Sequence, residues 1–365
     1  MITACIITRD QQNKLEKCLQ HLQVFPVEMI VVDTGSTDDS KNVAMKYTEH
    51  VYDFPWIGDF AAAKNYAVEK APTNIVFVVD SDEYVTEFDA KAIEKKIRKD
   101  NKCVGRVKRT NIFGDDGQSE GDEWINRIFD KRYFHYVGRI HEQVERLDGE
   151  EYATFLTNTH MLHDGYLLSD EEREKKTERN IVLLKEELDA FLTENEGRDL
   201  LQAPKNIQMR ASYILYQLGK SYYLKQDYET AVEYFELGLS FDLNEKLEYV
   251  IDMVETYGYA MLNAGQTQKA LQMEGIYDAF CGRSDFCFLM GLIYMNNERF
   301  EDAIIQFKKA TTFETAGIKG VNSYLAYYNA GVICECMGRM DEAQKYYALA
   351  GNYDKAQQRL REIIV

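Results

Sequence analysis

Ile75-Val76-Phe77-Val78-Val79-Asp80-Ser81-Asp82-Glu83 sets five apolar residues, mostly β-branched, directly before two carboxylates spaced i, i+2. A run this short and apolar fits a strand buried on both faces of a parallel sheet. Open α/β sheets bind ligands just beyond the carboxyl ends of such strands. Asp-x-Asp at that place offers hard oxygen ligands to one divalent cation, and the cation in turn neutralises a diphosphate. Taken alone, the same residues also read as an acidic turn that closes a strand, since Asp and Ser are ordinary turn formers.

Upstream, Ala4-Cys5-Ile6-Ile7-Thr8 reads as a buried strand, and Leu15, Cys18, Leu19 and Leu22 fall at helical spacing. Met29-Ile30-Val31-Val32 is a second strand. It ends in Asp33-Thr34-Gly35-Ser36-Thr37-Asp38-Asp39-Ser40, a loop and helix N-cap composition, before a helix over 41–47. A short strand over 50–52 and a helix over 59–70 follow. This alternation predicts a parallel sheet with right-handed crossovers. Neither a Gly-x-Gly-x-x-Gly fingerprint nor a P-loop is present, which sets aside dinucleotide binding and P-loop NTPases. Downstream, 104–110 alternates like a strand, Phe113-Gly114-Asp115-Asp116-Gly117 is a turn-rich loop, and Asn126–Asp130 and Tyr133–Tyr136 read as a strand pair.

The first strand, Val31-Val32-Asp33-Thr34-Gly35-Ser36-Thr37-Asp38, Asp59-Phe60-Ala61-Ala62-Ala63-Lys64-Asn65 and Val79-Asp80-Ser81-Asp82-Glu83 stand in an order and spacing that resemble the family 2 glycosyltransferases. The resemblance implies a GT-A fold, the α/β domain that binds nucleotide-diphosphosugars. It places Thr8 in the base pocket, Asp33 as acceptor of a hydrogen bond from uracil, Lys64 on the base or diphosphate, Ser81 beside the donor, Asp80 on ribose and metal, and Asp82 on Mn2+ or Mg2+. The loop Arg9-Asp10-Gln11 departs from the common Tyr-Asn-Glu or Arg-Asn-Glu pattern. Asp33 also reads as a cap of the following helix, and Lys64 as a solvated surface residue.

Gly138-Arg139-Ile140-His141-Glu142-Gln143-Val144 and His160-Met161-Leu162-His163-Asp164-Gly165-Tyr166 resemble a subgroup that modifies peptides and proteins, including bacteriocin S-glycosyltransferases. An inverting transfer needs a base on the acceptor side. Glu142 is the candidate, with His141 as the alternative or as the residue that orients it. His163 completes a metal shell that Asp80 and Asp82 leave open, because imidazole is a good Mn2+ ligand. The plainer readings are a surface strand pair for His141-Glu142 and a hydrogen-bonded structural histidine for His163. Arg127 and Arg139 are further candidates for the diphosphate.

The second half changes character. Glu171–Leu192 is a charged helix with Ile181, Leu184, Leu188 and Leu192 on one stripe. Leu218-Gly219-Lys220-Ser221-Tyr222-Tyr223 with Ala231, Met290-Gly291-Leu292-Ile293-Tyr294 with Ala303, and Ala330-Gly331-Val332-Ile333-Cys334 with Ala343 resemble tetratricopeptide repeats. A degenerate copy lies around Gly258. The expected organisation is a transferase domain over 1–170, a helical linker over 171–210 and an all-α repeat domain over 211–365. Stacked repeats leave a concave groove that binds a peptide or protein acceptor, or else pack against a second copy as a homodimer.

Across 365 residues the net charge is −18, which argues against general binding of nucleic acid or anionic membrane. Seven scattered cysteines without Cys-x-x-Cys suit reduced thiols in the cytoplasm. No signal peptide and no stable membrane insertion are expected. The resulting expectation is a metal-dependent, inverting enzyme. It moves a hexose or N-acetylhexosamine from a UDP-sugar to a peptide or protein side chain, O- or S-linked. Alternatives are a saccharide or lipid-linked acceptor, and a repeat scaffold with an inactive transferase domain.

Overall fold

The computed structural model describes residues 1–113, 119–164 and 170–363. The expected loop over 114–117 and the pair Gly165-Tyr166 lie outside the described residues. The chain divides into two compact units, Met1–Glu187 and Leu188–Val365.

The first unit runs β1 (Ile2–Thr8), α1 (Gln12–Leu22), β2 (Val27–Asp33), α2 (Ser40–Met45), β3 (Val51–Asp53), α3 (Phe60–Lys70), β4 (Ile75–Asp80), β5 (Glu83–Glu87), α4 (Ala90–Lys99), β6 (Cys103–Phe113), β7 (Ser119–Asp130), β8 (Phe134–Val137), β9 (Gln143–Arg146), β10 (Ala153–His163) and α5 (Asp170–Glu194), inside which the division falls. Eight strands form one sheet in the order β3-β2-β1-β4-β7-β6-β10-β5. The β3-β2-β1-β4 half is parallel, as the strand–helix alternation predicts. The other half is mixed: β7 is antiparallel to β4 and β6, and β10 is parallel to β6 but antiparallel to β5.

The apolar run of β4 is buried on both faces, and its period of two sorts the core. Ile75, Phe77 and Val79 pack with Leu15, Leu19, Ile93 and Ile97 of α1 and α4. Val76 and Val78 pack on the opposite face with Ala63, Ala67 and Val68 of α3. Two departures from the sequence reading follow from packing. Residues 133–136 do not pair with 126–130. Instead β8 pairs with β9 as a separate ribbon, because Phe134 and Tyr136 pack against the Phe129 ring, tilted and edge-on, with ring centroids 6.0 and 5.7 Å away. And β5, only two residues past β4, lies at the far edge of the sheet beside β10. Ser81-Asp82 is therefore the point where the chain leaves one half of the sheet for the other.

The second unit holds α6 (Lys205–Leu224), α7 (Tyr228–Leu239), α8 (Glu248–Asn263), α9 (Thr267–Ala270), α10 (Tyr277–Phe280), α11 (Ser284–Asn296), α12 (Phe300–Ala310), α13 (Tyr324–Cys336), α14 (Met340–Leu349) and α15 (Asp354–Ile363). The helix pairs α6/α7, α11/α12 and α13/α14 are the three full repeats. In the degenerate copy, α8 is followed only by the short α9 and a 3-10 stretch over Leu271–Ile276.

Close approach explains the repeat glycines. A Cβ on Gly291 would stand 2.6 Å from the Phe307 ring, and one on Gly331 would stand 2.6 Å from the Tyr347 ring. Both rings are fully buried, so neither swings aside freely. Gly291→Ala is expected to destabilise the repeat unit by about 1–3 kcal/mol, an overpacking cost. Urea unfolding followed by far-UV circular dichroism measures it.

Candidate active site

Register brings the ends of three strands together. Thr8 pairs with Asp33, and Ile7 pairs with Asp80. The sheet therefore aligns Thr8, Asp33 and Asp80 along one carboxyl edge. Asp33 Oδ1 accepts from the backbone N–H groups of Gly35 and Ser36, each at 2.9 Å, and so closes its own loop. Gly35 sits at φ +100°, a conformation open to glycine. The other carboxylate oxygen, Asp33 Oδ2, is buried with no hydrogen-bond partner among the described residues, and so is Thr8 Oγ1. Buried polar atoms are seldom left unpaired.

The unusual Asp10-Gln11 pair laces this loop to its neighbour. Asp10 Oδ1 accepts from Thr37 N at 2.6 Å and Thr37 Oγ1 at 3.0 Å, while Gln11 N donates to Ser40 Oγ. The hydrogen bonds from Thr37 hold the Asp10 carboxyl below its ordinary pKa.

Behind Asp80 lies a buried ion network. Lys64 Nζ stands 2.7 Å from Asp80 Oδ1 and also donates to Glu142 Oε1. Arg127 Nη2 donates to Asp80 Oδ2 at 2.6 Å and to Glu83 Oε1 at 2.8 Å. Arg109 joins Glu83 to Glu123, at 2.9 and 2.8 Å. The Asp80 N–H donates to Glu83 Oε2 at 2.9 Å. Burial alone raises the Asp80 pKa, but Arg127 and Lys64 outweigh it and hold the carboxyl far below its ordinary range. Burial disfavours the Lys64 ammonium, yet Asp80 and Glu142 keep its pKa above the usual lysine value.

Asp82 stands apart from this network. Its Oδ2 is 3.5 Å from His163 Nε2. His163 lies opposite Glu83 in one register and opposite Asn111 in another. Its Nδ1 is 2.8 Å from Asn111 Oδ1, and Asn111 Nδ2 donates to Glu123. That second bond fixes the Asn111 amide, so Nδ1–H donates to Asn111 Oδ1, and Nε2 faces Asp82. Burial pushes the Asp82 pKa up, but the His163 contact brings it below the ordinary value. Among the described residues, no three His, Cys, Asp or Glu side chains cluster closely enough to hold a metal by themselves. Both oxygens of Asp80, expected to share the metal, also accept from Lys64 and Arg127, each keeping a second lone pair. Ser81 is buried between the two aspartates.

The loop that carries Glu142 is fastened to α3. Asn65 grips the Tyr136 backbone from both sides, Nδ2 to the carbonyl and Oδ1 from the N–H, each at 2.8 Å. Phe60 N donates to Arg139 O at 2.8 Å. Gly138 at φ +93° and His141 at φ +53° turn the chain, and Glu142 reaches back to Lys64. Asp59 caps α3 through Ala62 N at 2.8 Å.

Residues 3–147 match the profile of glycosyl transferase family 2. They form a family 2 glycosyltransferase domain. Tetratricopeptide repeats match at 212–245, 284–315 and 324–350, the three full helix pairs. The transferase domain is similar to the SPbeta prophage-derived glycosyltransferase SunS of Bacillus subtilis, 28% identical over 197 residues, covering 51% of this chain and 45% of that protein. The chain therefore spans about half the length of that relative. Glycosyltransferase GlyA of Streptococcus pneumoniae is 29% identical over 103 residues, 26% of this chain and 15% of that one. A TPR repeat-containing protein of Synechococcus elongatus is 34% identical over 82 residues, 22% of this chain and 20% of that one.

Within the transferase domain, the sheet brings Thr8, Asp33, Lys64, Asp80, Ser81, Asp82, Glu142 and His163 to one end, and His141 sits on the same loop as Glu142. Arg139 points elsewhere, pairing with Glu186 at 2.8 Å. Arg127 faces carboxylates inside the domain. Glu83, Asn65, Asn111 and Glu123 carry much of the geometry and had no role in the sequence reading. Glu83 was visible as the last letter of Asp-Ser-Asp-Glu, and Asn65 as the last of its motif. Asn111 and Glu123 left no signal, since their part depends on strand register.

Proposed function

We propose that this chain transfers a hexose or N-acetylhexosamine from a UDP-sugar to a peptide or protein side chain with inversion at the anomeric carbon. The observation that carries the reading is the pair of buried, unpartnered oxygens, Thr8 Oγ1 and Asp33 Oδ2, on adjacent strand ends beside Asp80 and Asp82. Uracil offers an N3–H donor for Asp33 Oδ2. A divalent cation, when bound, supplies charge against the departing diphosphate. Asp82 would hold it by oxygen and His163 by Nε2, a donor set that suits Mn2+ better than Mg2+. Asp80 keeps Lys64 and Arg127 fixed behind that position.

Glu142 takes the proton from the acceptor hydroxyl or thiol. The acceptor atom bonds to the anomeric carbon as the bond from that carbon to the diphosphate oxygen breaks, and UDP leaves with the electron pair. The repeat unit recruits the acceptor polypeptide. The reading of a peptide acceptor is supported by the Gly-x-x-His-Glu and His-Asp-Gly-Tyr motifs and by the repeats. The seven described cysteines are all unpaired, which suits a reducing compartment. No helix among the described residues is long and apolar enough to cross a membrane.

A thermal-shift panel tests the donor class: UDP-, GDP-, dTDP- and CMP-sugars, each in Mn2+ with and without EDTA. A ligand at about 100 times its Kd adds about 2.7 kcal/mol to native stability. A UDP-sugar is expected to raise the melting temperature in Mn2+ and to lose most of that rise in EDTA. No rise with any UDP-sugar contradicts the reading.

A further inference from the structure

We infer that Lys64 is the positioning residue of Glu142, tying the acceptor-side carboxylate to the donor-side carboxylate Asp80. The inference rests on the proposed role of Glu142 and departs from the direct donor contact that the family resemblance implies for Lys64.

Three observations carry it. The Lys64 side chain is only 2% exposed, and its Nζ is engaged by Asp80 Oδ1 at 2.7 Å and by Glu142 Oε1. An ammonium has three protons, so two of its donors are committed to carboxylates. The Tyr136 ring covers a further side, with its centroid 5.5 Å from Nζ. An ammonium enclosed in this way presents little surface to a ligand.

Next, the neighbouring residue works on the same loop. Asn65 clamps both backbone groups of Tyr136, and Phe60 N holds Arg139 O. Residues 60, 64 and 65 lie one turn apart or adjacent on α3, and all three fasten the segment that runs from Tyr136 to Glu142. The motif Asp-Phe-x-x-x-Lys-Asn is thus a bracket for the Glu142 loop.

Finally, Lys64 is the cation that Glu142 engages directly. Arg127 Nη2 donates to Asp80 Oδ2 and Glu83 instead. Without Lys64, Glu142 loses the cation that draws it toward the donor side, and the loop keeps only its backbone tethers. A base displaced by about 1 Å costs on the order of a hundredfold in rate. The two half-sites would then be misaligned rather than unable to bind donor.

The test compares wild type, K64M, K64R, E142Q and the K64M/E142Q double variant. UDP release from UDP-glucose and from UDP-N-acetylglucosamine in Mn2+ gives turnover, and calorimetry with UDP gives donor affinity. K64M and E142Q are each expected to lower saturated turnover by about a hundredfold, with UDP affinity within about threefold of wild type. The double variant is expected to be no slower than the worse single one, since the two residues act as a unit. K64R, which restores the charge, is expected to recover to within about tenfold of wild type.

Loss of UDP affinity by more than about tenfold in K64M, with saturated turnover unchanged, would overturn the inference and make Lys64 a donor contact. Hydrogen exchange over 137–144 supplies a reading independent of turnover. K64M is expected to speed it and K64R to restore it; exchange unaltered in K64M would also overturn the inference. Absence of UDP release from the wild type would instead strike at the proposed function, and the exchange result would still decide whether Lys64 holds the loop.

Discussion

Asp82→Asn is expected to lower sugar transfer by at least about a thousandfold, the loss of several kcal/mol of charge stabilisation at the leaving group. The substitution keeps the shape and removes the charge. Asp82 is suited to this test because its contact is local. It faces His163 Nε2 at 3.5 Å and takes no part in the ion network that fixes Asp80. Its side chain keeps 27% of its surface open, so the fold loses little when the carboxylate becomes an amide. The expected pattern is lost UDP release in Mn2+ at saturating donor, with an unfolding midpoint near that of the wild type. Wild-type turnover in a folded Asp82→Asn protein would remove the cation from this position.

Glu83→Ala has the opposite character and is expected to cost the first unit about 3–5 kcal/mol. Glu83 is wholly buried and accepts from Arg109 Nη1 at 2.9 Å, from Arg127 Nη2 at 2.8 Å and from the Asp80 N–H at 2.9 Å. Removing it leaves guanidinium charge in the sheet short of a partner, and a backbone donor unsatisfied. Arg127 still has Asp80, and Arg109 still has Glu123, which keeps the cost within that range. Both tryptophans, Trp56 and Trp124, lie in the first unit, so urea unfolding followed by tryptophan fluorescence reads that unit by itself. Glu83→Gln keeps one acceptor oxygen and the volume, and a smaller loss is expected. A midpoint unchanged in Glu83→Ala would show that the arginines find other partners.

The parallel half of the sheet was legible because burial on both faces leaves a continuous apolar run, and β1, β2 and β4 each carry one. The repeats were legible because each helix pair must bring a small residue against an aromatic ring, as Gly291 meets Phe307. The mixed half was not. Nothing in Glu83-Tyr84-Val85-Thr86-Glu87 tells that this strand crosses to β10 rather than pairing nearby. Likewise, the alternation of 133–136 fits a ribbon as well as a sheet strand.

The site divides along the same line. Asp33, Asp80 and Asp82 follow apolar strands and so announce the carboxyl edge. The partners of those carboxylates are set by register across strands distant in sequence. Arg127, Arg109, Glu123 and Asn111 meet only because β4, β7, β6 and β10 lie side by side. Lys64 was legible as part of a motif, but its engagement by two carboxylates required the loop that Asn65 holds.

Calorimetric titration of UDP and CDP into wild type and Asp33→Asn in Mn2+ directly measures the proposed recognition of uracil at Asp33. Asparagine retains an oxygen for the Gly35 and Ser36 N–H groups while replacing the unpartnered acceptor by an amide donor. Uracil offers N3–H where cytosine offers a bare N3. The wild type is therefore expected to prefer UDP over CDP by at least about tenfold, and Asp33→Asn to lose or invert that preference, since an unpaired buried polar group costs about 1–3 kcal/mol. Equal affinity of the wild type for UDP and CDP, or a preference that survives unchanged in the variant, would contradict the account.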